Sequence, residues 1–277
     1  MSNTILVPTD FSSNAHNALE YAVRLARKSD SKVVLIHAFH IRYLSADIPM
    51  QYVAEQLIAV EQEAESLLAT LCQKIRSKYH VECSYINKQR LVTELVSDCI
   101  RWEDPFLVVM GTKGASGIRK MLIGSNTAKI IEKATCPVLA IPNKVDYRSI
   151  KQITYATDYR KGDLQAIKKL VAFATPYKAH ITILHVCEDD LSTEVENEDM
   201  NMFEDKVRKE ILYKDISYQL IYGKYLEKSL DAYVKREAPD VLAMSTHKRT
   251  LFQKLFSHSD TKQMAYHTKI PLLAFHE

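Results

Sequence analysis

Glycine is scarce in this chain: there are six in 277 residues, where average usage would supply roughly three times as many. Cysteine is equally uninformative as a framework. Cys72, Cys83, Cys99, Cys136 and Cys187 are odd in number, widely spaced and without a CxxC pair, which excludes a disulfide scaffold or zinc site and reads as thiols of a reducing compartment. No run of about 18 apolar residues occurs, so no membrane span is expected. The start, Met-Ser-Asn-Thr-Ile-Leu-Val, has no basic region and too short an apolar run for a signal peptide. A cytoplasmic protein with no membrane partner is expected. Charge of one sign is lacking too. With 37 basic against 34 acidic residues, net +3, neither half is a polycation, and there is no electrostatic case for nucleic acid.

The few glycines are concentrated. Four fall in Gly111-Thr-Lys-Gly114-Ala-Ser-Gly117-Ile-Arg-Lys-Met-Leu-Ile-Gly124-Ser125, after the strand-like Phe106–Met110 and before the helix-like Asn126–Lys133. A strand, a glycine loop and a helix amino terminus build an anion cradle. Glycine lacks the Cβ that would hold a phosphate off, and the first helical amides point at the ligand. The spacing is neither a Walker A loop, since position 116 is Ser, nor a GxGxxG dinucleotide fingerprint.

The chain is also written twice. Ile5-Leu-Val-Pro-Thr-Asp10 recurs as Ile153-Thr-Tyr-Ala-Thr-Asp158, and Val34-Leu-Ile-His37 matches the stretch ending Ile183-Leu-His185, both at an offset of 148. Met110–Ile141 aligns without a gap on Met244–Phe275 at an offset of 134. Two copies are indicated, 1–143 and 149–277, the second shorter by roughly fourteen residues after its second strand. There Glu188–Asp199 holds seven acidic groups in twelve positions and reads as a solvated loop or frayed helix start. The linker Pro142–Ile150 is short, so the copies should lie against each other.

Within the first copy, Ile5–Pro8, Lys32–Ala38, Val81–Ile86, Phe106–Met110 and Val138–Ile141 are nearly continuous apolar runs. Ser13–Lys28, Gln51–Tyr79, Leu91–Trp102 and Thr127–Ala134 carry helical patterns, the second through Val53, Leu57, Val60, Ala64, Leu67, Leu71 and Ile75. The second copy repeats the strands near Gln152–Ala156, His180–Val186, Ile216–Ile221, Val241–Met244 and Leu272–Phe275. Apolar strands separated by helices predict an α/β fold of two tandem, doubly wound, parallel five-stranded sheets of Rossmann-like type, with ligands at the carboxyl ends of the strands.

At Gly-x2-Gly-x9-Gly-Ser the chain resembles the universal stress protein family, in its ATP-binding branch. Pro8-Thr9-Asp10-Phe11-Ser12, Leu35-Ile36-His37 and Cys136-Pro137-Val138-Leu139 carry the same resemblance. It implies ATP as ligand in the first copy. Pro8, Thr9, Asp10 and the backbone at Ala38 would line adenine and ribose, Met110 and Gly111 would flank the ribose, and Gly114, Gly124, Ser125 and Asn126 would hold the phosphates. Arg119 and Lys120 read equally well as phosphate partners or exposed loop cations. Magnesium could bridge the phosphates, although no carboxylate cluster stands beside the loop. The resemblance also implies strand pairing through Val138–Ile141 and Leu272–Phe275, either between the repeats or in a homodimer.

The second copy serves as an internal control. Its loop has the same length, yet Ser245, Lys248, Leu251 and His258 replace Gly111, Gly114, Gly117 and Gly124. The fold therefore does not demand those glycines, and close approach of a ligand does. The second site is expected to be lost, although Asp158 and Ser259 remain. His247, His258 and His267 lack a recognised metal spacing, while His37 and His185 share a structural position. Three functions fit: a nucleotide-binding sensor or regulator with an unknown protein partner, a slow ATPase, and a scaffold. No residue stands out as a general base, so any hydrolysis should be weak.

Overall fold

A computed structural model describes residues 3–39, 50–112, 123–143, 145–187, 193–246 and 270–276, and all side chains within them except those at 50, 161 and 193–195. The first repeat runs β1 (Thr4–Pro8), α1 (Ser13–Ser29), β2 (Lys32–Phe39), α2 (Met50–Tyr79), β3 (Cys83–Gln89), α3 (Val92–Glu103), β4 (Leu107–Gly111), α4 (Ser125–Lys133) and β5 (Val138–Ile141). The second runs β6 (Gln152–Thr157), α5 (Lys161–Ala174), a 3-10 turn (Thr175–Tyr177), β7 (His180–Cys187), α6 (Thr193–Glu210), β8 (Ile216–Tyr222), α7 (Leu226–Glu237), β9 (Val241–Ser245) and β10 (Leu272–Phe275).

The strands form one ten-stranded sheet in the order β3-β2-β1-β4-β5-β10-β9-β6-β7-β8. Each half is parallel, as expected for strands covered on both faces. The halves meet at an antiparallel seam, where Leu139 pairs with Leu273 and Ala140 with Leu272. All eight residues of β5 and β10 are buried, so the seam is built like a core, where burying a Leu or Ile side chain contributes about 1.5–3 kcal/mol. The intramolecular pairing expected of the two repeats is therefore present. The cores on both faces run across it. Val7, Leu35, Leu68 and Leu139 share one cluster with Ile153, Phe173 and Phe275 beneath α1, α2, α5 and α6. Leu6, Ile36, Leu95 and Ile130 share the other with Leu184, Leu230 and Met244 beneath α3, α4 and α7.

The linker is docked as well. Asn17 donates to the carbonyls of Pro142 (3.3 Å) and Val145 (3.1 Å), and Tyr147 sits edge-on to Tyr21 with Arg24 over its ring.

Helix ends explain how so few glycines suffice. Ser12 caps α1 by accepting from the Ala15 amide (3.2 Å). At the other ends, left-handed backbone is adopted by Asp30, His80, Asp104 and Ala238, a conformation that costs an L-residue roughly 1–2 kcal/mol. Glycine is thus not spent on these four helix C-termini.

The stripe expected of α2 is only partly the buried one. The buried stripe of α2 runs through Val53, Ala64, Leu68, Cys72, Ile75 and Tyr79, while Val60 and Leu67 are exposed. A 30-residue helix spans about 45 Å and overhangs the seven-residue strand β3, leaving its first half largely uncovered. The acidic stretch of the second repeat is helical from Thr193 onward, which agrees with a helix start in the connection after the second strand. The shortening falls mainly in that helix, which has 18 residues against 30 in α2.

Candidate functional site

The strand order reverses between β1 and β4, because β1 goes on to β2 and β4 goes on to β5. At such a point neighbouring strands lead to helices on opposite faces and a crevice opens at their carboxyl ends. Here the opening is deep. Strand β1 pairs with β4 only at Ile5 with Leu107 and Leu6 with Val108. Beyond that, β1 follows β2 as far as Pro8 with Ile36, while β4 follows β5 as far as Gly111 with Ile141.

Proline supplies the local cause. The Thr9 amide donates to the Ile36 carbonyl (2.8 Å), and amide direction alternates along a strand, so an amide at position 8 would face β4. Pro8 has none to offer.

The chain leaving β1 is held firmly. The ring of His37 donates from Nδ1 to the Thr9 carbonyl (2.8 Å), since a carbonyl can only accept. Phe11 adopts φ 59° and packs on that ring with centroids 4.5 Å apart. Asp10 is exposed and its Oδ1 accepts from the Ser12 amide (3.0 Å). Its carboxylate therefore stands in a fixed turn at the crevice mouth.

Across the crevice, Met110 is buried in the core beside α3 and α4, and Gly111 ends β4. The Thr127 hydroxyl donates to the Gly111 carbonyl (2.9 Å), and the Gly124 amide to the Thr112 carbonyl (2.6 Å). These two bonds hold the start of α4 against the end of β4. Gly124 is the N-cap of α4 and no side chain caps this end. The amides of Ser125, Asn126 and Thr127 consequently have no acceptor within the helix, and the side chains of Ser125 and Asn126 are exposed. Such a terminus attracts an anion. Ala38 lies near the end of β2, opposite Lys88.

The structure thus brings Pro8, Thr9, Asp10, Met110, Gly111, Gly124, Ser125 and Asn126 to one end of the first repeat, with Ala38 on the adjacent strand. Gly114, Gly117, Arg119 and Lys120 lie outside the described residues, as do Lys248, His258 and Ser259. A cavity of about 520 Å³, lined by Phe39, Leu57, Glu61, Lys88, Arg90 and Trp102 among others, sits further out at the ends of β2 and β3.

The second repeat closes the same place. Strand β6 pairs with β9 at Ile153, Thr154, Tyr155 and Ala156, two residues further than in the first repeat, and Ala156 stands where Pro8 stands. The turn after β6 keeps the same frame. Tyr159 has φ 60° and packs on His185 at 4.4 Å, whose Nδ1 donates to the Thr157 carbonyl (2.7 Å). The shared role expected of His37 and His185 is this bond.

Beneath that turn is a carboxylate that sequence reasoning missed. Asp163 is 0% exposed and accepts from the hydroxyls of Tyr155 (2.8 Å) and Thr157 (2.7 Å) and from the amides of Arg160 (3.1 Å) and Asp158 (3.3 Å). Position for position, the first repeat has Val7 and Ala15 in place of Tyr155 and Asp163. Aligning the copies at an offset of 148 displays the exchange, and it was the one signal available. The glycine comparison is seen directly at one position. Ser245 replaces Gly111 as the last residue of its strand and is buried, and the next amide bonds alike in both repeats, Thr112 to Ile141 (2.9 Å) and Thr246 to Phe275 (2.7 Å).

Comparison with known proteins gives a consistent picture. The universal stress protein family model matches residues 1–142 and again 149–276. A universal stress protein of Methanocaldococcus jannaschii is 27% identical over 140 residues, half of this chain and 80% of that protein. The universal stress protein YxiE of Bacillus subtilis is 26% identical over 149 residues, 51% of this chain and 99% of its own length. Among solved structures, a universal stress protein from Archaeoglobus fulgidus matches with a TM-score of 0.72 at 19% identity, covering 100% of this chain and 99% of that one. That likeness extends over both repeats and concerns the fold.

Proposed function

The chain belongs to the universal stress protein family, and from that premise we propose that it is an adenine-nucleotide-binding regulator holding one ATP in its first repeat. The chain divides into a nucleotide-binding unit, 1–143, and a companion unit, 149–277, that serves packing or contact with a protein partner. The observation that carries this reading is the crevice between β1 and β4, which the second repeat, identical in strand order, closes.

The residues present suit the ligand. Pro8 and Thr9 form one wall with the backbone at Ala38, and the exposed Asp10 carboxylate is an acceptor for ribose hydroxyls. The backbone at Met110 and Gly111 forms the other wall, since the Met110 side chain is in the core. The uncapped amides and side chains of Ser125 and Asn126, with Gly114 and Gly124, receive the phosphates. Nucleotide occupancy then alters the surface of the segment from 113 to 123, which a partner reads. Action in the cytoplasm belongs to the same reading. Among the described residues no helix is long and apolar enough to cross a membrane.

Isothermal titration of the stripped protein with ATP tests this. The wild type should bind, and Gly114→Lys, a change copied from position 248, should lose at least about tenfold in affinity, or 1.4 kcal/mol. Wild-type protein that binds no adenine nucleotide would defeat the proposal.

A further inference from the structure

The first repeat also contains a thiol pair that nucleotide binding does not use. Cys72 on α2 and Cys83 at the start of β3 place their sulfurs 2.9 Å apart, and they are 3% and 1% exposed. The register that brings them together is fixed by Arg76, one turn along α2 from Cys72, whose Nε donates to the Cys83 carbonyl (3.0 Å) and whose Nη2 reaches the same oxygen. Strand β3 is an edge of the sheet. A disulfide needs about 2 Å between the sulfurs, and the pair stands at 2.9 Å. We propose that Cys72 and Cys83 form a reversible disulfide when the protein meets a peroxide, stapling α2 to β3.

The chemistry has a direction. The hydrogen bond between the two sulfurs holds the Cys72 thiol below its ordinary range and pushes the Cys83 thiol up. Burial raises the thiols of Cys99 and Cys136 to about 11 and about 12, leaving them poor in thiolate, the reactive form.

Cys72 thiolate therefore attacks one oxygen of hydrogen peroxide. The S–O bond forms, the O–O bond breaks, and hydroxide departs as water with the released proton. The Cys83 sulfur then attacks Cys72. The S–S bond forms, the S–O bond breaks, and the second hydroxide leaves as water with the Cys83 proton. Two thiols are oxidised by two electrons and one peroxide is reduced to two waters.

Peptide mass mapping of the reduced full-length protein after hydrogen peroxide treatment, with free thiols alkylated on unfolding, tests the proposal. The expected product is a Cys72–Cys83 cross-link that dithiothreitol reverses. It should form about tenfold faster than Cys99 or Cys136 is oxidised and raise the melting temperature by about 5 °C. Cys83→Ser should abolish the melting shift and leave Cys72 as a sulfenic acid that dimedone traps. Recovery of both Cys72 and Cys83 as alkylated thiols in the wild type, or a cross-link from Cys72 to another cysteine, would overturn it regardless of how the variant folds.

Discussion

The two repeats share strand order, the positive-φ aromatic after the first strand and the histidine that bonds back to that turn, yet they treat the switch point oppositely. In the first, Pro8 interrupts pairing between β1 and β4, and the turn above rests on small apolar Val7 and Ala15. In the second, Ala156 lets β6 and β9 pair two residues further, and Tyr155 with Asp163 fills the space beneath the turn with a satisfied polar network. One copy keeps its turn in place around an open crevice. The other holds the turn from within. What looks like loss of a few glycines is therefore accompanied by a rebuilt interior.

The two interiors differ most at Asp163. Asp163→Ala strands two buried hydroxyls and two amides, and at 1–3 kcal/mol for an unsatisfied group it should cost about 3 kcal/mol or more. Denaturant unfolding measures this, and ATP affinity in the surviving native protein should be unchanged. An effect below about 1 kcal/mol would mean that the second interior is not held by this network. Pro8→Ala carries the second repeat's residue into the first. It should let the strands pair across the crevice and weaken ATP binding about tenfold without loss of stability, read by titration and thermal melting on the same sample.

Smaller effects sharpen the symmetry. The Tyr159 hydroxyl is buried with no hydrogen-bond partner among the described residues, so Tyr159→Phe, copying Phe11, should stabilise by about 1 kcal/mol. Loss of stability would show that the hydroxyl has a partner in solution. Ala238→Gly relaxes a left-handed residue at the end of α7 and should add about 0.5–1 kcal/mol. A neutral result would indicate that the strain is already relieved.

Much of this fold could be read from residues alone, because short continuous apolar runs such as Leu107–Met110 and Leu272–Phe275, alternating with longer helical patterns, suit strands of a sheet covered on both faces. Helix and strand limits fall within a few residues for the same reason. Periodicity puts Val60 and Leu67 on the buried stripe of α2, yet both are exposed, since periodicity does not tell how far a helix overhangs its strand. For the site, the glycine motif and Asp10 were legible as residue types in a pattern. The depth of the crevice was not, because it depends on where pairing between distant strands stops. Nor was Asp163, an acidic residue in the first turn of a helix, where solvent exposure is the ordinary expectation.

One nucleotide per chain, held in the first repeat, is what we propose. Native mass spectrometry of the stripped chain with saturating ATP tests it most directly, alone and with Gly114→Lys. One adduct in the wild type, and a variant that needs at least about ten times more ATP to reach the same occupancy, is the predicted result. Two adducts in the wild type, or a variant that fills at the same ATP concentration, would contradict it.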